Sequence, residues 1–241
     1  MRVDELQVPK AEMTPDECQD ASCVREELRR FAVADGVTQS VFAKEWAKVI
    51  ANGACDMTAL SGESLYARLD DWRREWAARL PAQGMPWYVA RKLREVGAYS
   101  TLAVLELGLA SGRGYFKVLA LGDTCVFQAR GDRLIYAYPY TRPSQFSNCT
   151  EALGSWPSRA HDESKVEASV SSGERRTRDR FMLASDALAQ YLLTRVTVGD
   201  EGIRAAMPFR RTHGDFGSWV TERRLAGDLR DDDTTLVDIR T

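Results

Sequence analysis

The strongest constraint in this chain is a set of five aspartates, four of them set against runs of apolar residues. Phe31-Ala32-Val33-Ala34 leads into Asp35-Gly36-Val37, and Val118-Leu119-Ala120-Leu121 leads into Gly122-Asp123-Thr124. Phe181-Met182-Leu183-Ala184 leads into Ser185-Asp186-Ala187-Leu188, while Asp232-Asp233-Thr234-Thr235 leads out into Leu236-Val237. A further acidic motif, Gln19-Asp20-Ala21, stands near the start. Short apolar runs of this kind read as buried strands. An aspartate at the end of a buried strand is costly unless something positive lies beside it. Several such aspartates suggest one shared positive object, and a cluster of divalent metal ions is the usual one.

The bulk of the sequence narrows the alternatives. With 241 residues, 44% of them apolar, the chain can build a sizeable core. Its net charge of −2 gives no reason to expect nucleic-acid binding, which needs a basic face. No apolar run approaches the roughly 20 residues of a membrane span. Met1 to Lys10 is polar and has no signal-peptide apolar region, so the expected location is the cytoplasm. There, Cys18, Cys23, Cys55, Cys125 and Cys149 are expected as reduced thiols, and the sequon Asn148-Cys149-Thr150 means nothing. Two histidines, His161 and His213, argue against a zinc site and weaken any Ser-His-Asp proposal.

The periodicity gives a coarse layout. Residues 1 to 16 form an irregular arm or edge strand. Strands follow at 20 to 24 and 30 to 34, then helices at about 39 to 51, 62 to 79 and 87 to 96. In the second helix Leu65, Leu69, Trp72, Trp76 and Leu80 fall on one face. Residues 100 to 108 and 115 to 122 read as one hairpin, and 124 to 130 and 133 to 138 as another, turning at Gly131-Asp132. Residues 140 to 178, rich in Ser, Pro, Arg and Glu, read as a long mobile insertion, with a possible strand at 166 to 171. A strand at 180 to 185, helices at 187 to 196, 200 to 206 and 215 to 226, and a strand at 234 to 239 complete the chain. Strands, then helices, then strands without βαβ regularity predict an antiparallel α+β layered domain spanning residues 1 to 241.

Each acidic motif has an ordinary reading on its own. Asp35-Gly36 is a tight turn, Gly122-Asp123 a hairpin turn, Asp186 a helix N-cap, and Asp231-Asp232-Asp233 a solvated charge run. Taken in order, the set resembles the metal-dependent Ser/Thr protein phosphatases of the 2C (PPM) type. Gln19-Asp20-Ala21, Asp35-Gly36, Gly122-Asp123-Thr124, Ser185-Asp186-Ala187 and Asp232-Asp233-Thr234-Thr235 match that family's motifs in sequence. Gly97-Ala98-Tyr99-Ser100-Thr101-Leu102 resembles its segment before the central strands. The resemblance covers about residues 17 to 240. Gln-Asp-Ala and Ser-Asp-Ala-Leu-Ala are similar to a bacterial branch.

The resemblance implies a central antiparallel β-sandwich flanked by helices, four layers in α-β-β-α order, with metals at one end. It implies that Asp35 and the Gly36 carbonyl hold two central Mn²⁺ or Mg²⁺ ions. Asp186 and Asp232 would ligate the same cluster. Asp20 would ligate or orient a metal-bound water, and Asp123 with Asp186 would serve a third, weaker site. The implied activity is hydrolysis of phosphoserine and phosphothreonine in proteins, by in-line attack of a metal-bridged water. A Ser/Thr protein kinase would be the functional opponent.

The chain also departs from the family's pattern. Gln19 stands where many members carry glutamate. Val37-Thr38-Gln39 replaces a glycine-rich stretch, and Ala187 replaces a glycine. Residues 11 to 18 hold no Arg or Lys, so the family's phosphate-binding arginine is missing and Lys10 is the nearest cation. Arg175, Arg176, Arg178 and Arg180 could substitute, although a solvated turn is the preferred reading. These departures keep a second expectation open: a catalytically weak phosphatase-like module that binds a phosphoprotein or partner and regulates by occupancy. The tryptophans, Cys125 and His213 are assigned to packing or loop positions.

Overall fold

In the computed structural model, which describes residues 1–147, 150–157, 168–209 and 212–241, the apolar runs become strands covered on both faces. The first elements are β1 (Arg2–Val8), β2 (Ala21–Arg25) and β3 (Arg30–Ala34). Helices α1 (Ala43–Cys55), α2 (Gly62–Arg79) and α3 (Trp87–Glu95) follow, then the short β4 (Tyr99–Ser100). Two hairpins come next, β5 (Leu102–Ala110) with β6 (Arg113–Leu121), and β7 (Cys125–Arg130) with β8 (Arg133–Tyr138). After β9 (Leu153–Gly154), β10 (Ser169–Arg175) and β11 (Asp179–Ala184) come α4 (Asp186–Leu193), α5 (Ile203–Ala206), α6 (His213–Leu225) and β12 (Thr234–Arg240).

Two antiparallel five-stranded sheets result, one ordered β1-β12-β11-β7-β8 and the other β10-β6-β5-β3-β2. The alternation of side chains along each strand explains why the runs are unbroken. Phe31 and Val33 of β3, Phe116 and Val118 of β6, and Phe181 and Leu183 of β11 fill the space between the sheets. Their neighbours Ala32, Ala34, Leu119 and Leu121 face a second core shared with α1 and α2. Met182 and Ala184 of β11 face a third core shared with α4, α5 and α6. This is the four-layer α-β-β-α sandwich expected from the sequence. Emptying its centre by Phe181→Ala should cost about 3–5 kcal/mol.

The helix faces follow the reading with one shift. In α2, Leu65, Leu69, Trp72 and Trp76 are buried, and Trp76 meets Trp46 of α1 edge-on at 6.1 Å. The Ser61 hydroxyl caps this helix by accepting from the Ser64 N–H at 3.1 Å. Helix α1 starts at Ala43, four residues later than the pattern predicts. The preceding residues are committed elsewhere: the Ser40 N–H donates to the Val37 carbonyl at 2.9 Å and the Val41 N–H to the Gly97 carbonyl at 3.1 Å. Phe42 then enters the helix in the left-handed region at φ 55°. Trp87 and Trp156 are exposed, unlike the packed Trp46, Trp72, Trp76 and Trp219.

Residues 140 to 178 differ from the expected insertion. Their described part contains β9, which pairs with β4, and β10, an outer strand pairing with β6 from Ser169↔Ala120 to Arg175↔Gly114. The strand expected at 166 to 171 is met in the described residues by β10, which runs from Ser169 on to Arg175 with alternating exposure. Residues 166 and 167, Asn148, Cys149 and His161 lie outside the described residues. No described helix is long and apolar enough to cross a membrane. Cys18, Cys23, Cys55 and Cys125 are free and buried.

Candidate active site

The sheet ends bring the aspartates together. Ala184 pairs with both Leu236 and Cys125, so β11, β12 and β7 run level. Asp186 therefore follows β11, Asp232 precedes β12 and Asp123 precedes β7 at the same end of one sheet. Ala21 pairs with Ala34, which brings Asp20 and Asp35 to the matching edge of the other sheet. The charges of Asp20, Asp186, Asp123 and Asp232 all act on Asp35.

Local hydrogen bonds fix each position. The Asp35 carbonyl accepts from the Thr101 N–H at 2.9 Å and the Ser100 hydroxyl at 2.8 Å. Gly36 is required by close approach: a Cβ there would lie 2.7 Å from the Gln19 carbonyl oxygen and 3.0 Å from the Ala43 Cβ. Ser185 joins β11 to β12, its hydroxyl accepting from the Thr235 N–H at 2.9 Å. That leaves Ser185, not Asp186, as the residue preceding α4; Asp186 is the first helical residue. Of the acidic run, Asp233 is a clamp that accepts from the Gln19 N–H at 2.7 Å and the Lys10 N–H at 2.8 Å. Asp231 accepts from the Ala11 N–H at 2.9 Å. The run is thus a structural tie to the N-terminal arm and not a solvated charge patch.

The electrostatics are those of crowded anions. Burial pushes the Asp35 carboxyl well above the usual carboxylate range, and the four neighbouring aspartates push it further. Burial raises Asp20 to about 8, with Asp233 and Asp186 adding to the rise and the Thr235 and Ser185 hydroxyls opposing it. Neither Asp20 oxygen, nor Asp186 Oδ1, meets a donor in hydrogen-bond geometry, although all three are buried. Burial and the charge of Asp186 raise Asp123 to about 6, against the Thr150 hydroxyl that donates to its Oδ2 at 2.8 Å. Burial and Asp186 also raise Asp232, opposed by Lys10 and Arg230.

Arg230 is the residue that sequence reasoning missed. Its Nη2 donates to Asp186 Oδ2 and lies 3.6 Å from Asp232 Oδ2. Lys10 Nζ lies 3.7 Å from Asp232 Oδ1. The signal was its place two residues before Asp232, obscured by the triple aspartate beside it. By contrast, the cluster Arg175, Arg176, Arg178 and Arg180 cannot anchor phosphate here. Arg180 is the second residue of β11, whereas Asp186 follows the far end of the same strand, about 20 Å away at 3.3 Å per residue.

A metal fits this donor set in chemistry. Five hard-oxygen carboxylates and three buried carboxylate oxygens without donors ask for positive charge. The arrangement itself departs from the expectation of a gathered ligand set. Among the described residues, no three acidic, histidine or cysteine side chains are grouped so as to hold an ion. Within the site the guanidinium of Arg230 sits against Asp186 and lies 3.6 Å from Asp232.

No protein-family model matches the chain, and no curated protein matches it. Solved structures do. PppA, a key regulatory component of T6SS in Pseudomonas aeruginosa, superposes over 100% of this chain and 97% of its own, with a TM-score of 0.60 and 20% identity. The catalytic domain of the serine/threonine protein phosphatase PstP, in complex with two manganese ions, covers 100% and 98%, at 0.60 and 16%. The PPM Ser/Thr phosphatase MsPP from Mycobacterium smegmatis, in complex with cacodylate, covers 99% and 97%, at 0.57 and 16%. The chain has the fold of the PPM-type Ser/Thr phosphatases.

Proposed function

We propose that this chain is a metal-dependent protein Ser/Thr phosphatase, built as one phosphatase-like domain, with Asp20, Asp35, Gly36, Asp123, Asp186 and Asp232 forming its centre. The observation that carries the reading is the convergence of five strand-end aspartates whose charges reach Asp35. Asp35, Gly36, Asp186 and Asp232 would hold the central pair of ions, Asp20 would ligate or orient solvent, and Asp123 would serve a weaker third position. The ions, Mn²⁺ or Mg²⁺, supply charge neutralisation at a transferring phosphoryl group and an activated water. The two manganese ions bound by PstP support this choice.

The chain's own groups do the rest. The aspartates lie at one end of the sandwich because β3 and β11 end there and β7 and β12 begin there. Ser100, Thr101 and Ser185 lock the backbone that carries them. Lys10 and Arg230 stand beside Asp232 and Asp186, and they replace the family's missing arginine as candidates for holding the phosphate dianion. The substrate class is a phosphorylated protein, opposed by a Ser/Thr kinase. Hydrolysis of a phosphothreonine peptide with Mn²⁺ tests this reading.

One observation favours a second reading, a phosphatase-like regulatory module with weak or no turnover. Arg230 already occupies two of the carboxylates that metal would need. The fold shared with PppA, a key regulatory component of T6SS in Pseudomonas aeruginosa, supports this reading. Mn²⁺ binding without peptide hydrolysis would select this alternative.

A further inference from the structure

The end of the sandwich opposite the aspartates carries a concentration of arginine. The same register that gathers Asp186 and Asp232 at one end places Arg180 opposite Arg240, and Arg240 opposite Arg2, at the other. Arg130 closes β7 beside them, Arg178 lies in the turn before β11, and Arg204 lies in the first turn of α5. These six arginines line one cavity of about 1090 Å³, and among the described residues no aspartate or glutamate side chain lines it. In a chain with net charge −2, that is a local excess that the fold has to build.

Buried carboxylates behind the wall hold part of this array rigid. Asp179, fully buried, accepts from Arg130 Nε at 2.9 Å, and Asp238, also fully buried, accepts from Arg180 Nε at 2.5 Å. Arg240 reaches Asp238 at 3.4 Å, and Arg2 reaches Asp4 at 3.1 Å. Arg178 and Arg204 make no ion pair among the described residues and are exposed. Among the described residues, three carboxylates thus pair with four of the six guanidiniums, and Arg178 and Arg204 line the cavity beside them. The facing wall is apolar, formed by Met207, Pro208 and Phe209. Phe209 is held by ring contacts with Trp219 at 4.7 Å and Phe216 at 5.1 Å.

Guanidinium forks match phosphate oxygens two at a time, and held forks lose less freedom on binding. The volume is that of a small-molecule site, at the upper end of the ~300–1000 Å³ typical for such pockets. We propose that this cavity is a second binding site, distinct from the aspartate centre, for an organic polyphosphate of nucleotide size. Its phosphates lie on Arg178, Arg204 and their paired neighbours, and its ring lies against Phe209 and Met207.

The test is calorimetric titration of the full chain with ADP in EDTA, so that no metal at the aspartates can recruit phosphate. The double variant Arg178→Glu/Arg204→Glu is compared with Arg91→Glu on α3, a remote exposed arginine. Wild type and Arg91→Glu should bind ADP alike, and the double variant should bind at least about tenfold more weakly, two charge-assisted contacts having been reversed. Circular dichroism checks its fold, and Arg204→Gln alone, at an exposed position, should show the same direction of loss. No ADP binding by wild type, or equal binding by the double variant, overturns the site. Pyrophosphate binding as tightly as ADP overturns the apolar half of the assignment. Preference for an acidic peptide over ADP would overturn the small-molecule class.

Discussion

Arg230 donates through its Nη2 to Asp186 Oδ2 while standing 3.6 Å from Asp232. One guanidinium thus faces two carboxylates that belong, in the proposed function, to the metal centre. An ion entering there has to displace it. Arg230→Met should therefore tighten Mn²⁺ binding, by about fivefold or ~1 kcal/mol, the size of a partly exposed ion pair. Calorimetry with Mn²⁺ measures this directly. Weaker binding in the variant would show that Arg230 supports the metal site and does not compete with it.

Asp35→Asn and Asp186→Asn should each abolish phosphatase activity and leave the fold intact. Asp35 is surrounded by four like charges, so its neutralisation should raise the melting temperature of the metal-free chain. Activity assays beside thermal melts check both halves. Turnover at the wild-type level in either variant would sink the metal assignment.

The acidic centre should make metal-free stability fall as pH rises. Burial raises Asp20 to about 8 and Asp123 to about 6. At low pH these carboxyls are neutral in both states and carry no penalty. Above about pH 4 they ionise in the unfolded chain first, and the folded state loses ground until its own, higher pKa is passed. Thermal melts in EDTA should show a declining Tm between about pH 5 and pH 8, flattened at its upper end by Asp20→Asn. Saturating Mn²⁺ should suppress the slope. A metal-free Tm that climbs over this window contradicts the burial of these groups.

Gly36→Ala should damage the site from the backbone. The new Cβ would meet the Gln19 carbonyl at 2.7 Å, and neither that backbone nor Ala43 is a flexible side-chain end. A loss of about 1–3 kcal/mol is expected, typical of overpacking. Because Gln19 and Asp35 flank the contact, Mn²⁺ affinity should fall with it. Denaturant titration and calorimetry read the two effects separately.

Asp123 is held by Thr150 and sits at the margin of the cluster. Asp123→Asn should leave tight Mn²⁺ binding nearly unchanged and lower turnover. Loss of all metal binding would move Asp123 into the central pair.

Much of this arrangement was legible in the sequence because the strands are covered on both faces. Phe31 to Ala34 and Phe181 to Ala184 read as unbroken apolar runs, and the aspartates that follow them point to the proposed site. Helix α2 was visible through its period, and its capping residue Ser61 fixes its start. What escaped reading depends on contacts distant in sequence. The start of α1 is set by Ser40 and Val41 bonding toward Tyr99 and Gly97, which no local pattern reports. Strand β10 was expected at 166 to 171, and its continuation to Arg175 escaped because its residues alternate with polar ones at a sheet edge. Arg230 looked like one more charge in an acidic run, and only the approach of β12 to α4 shows that it faces Asp186. The arginines of the far end were read as a solvated turn because their register with Arg2 and Arg240 exists only in the folded sheet.

The most direct measurement is hydrolysis of a phosphothreonine peptide by the purified chain with Mn²⁺, beside the Asp35→Asn variant and an EDTA control. The account expects Mn²⁺-dependent release of phosphate that disappears in both. Turnover that survives EDTA and Asp35→Asn would contradict it, because the five converging aspartates would then have no part in the chemistry.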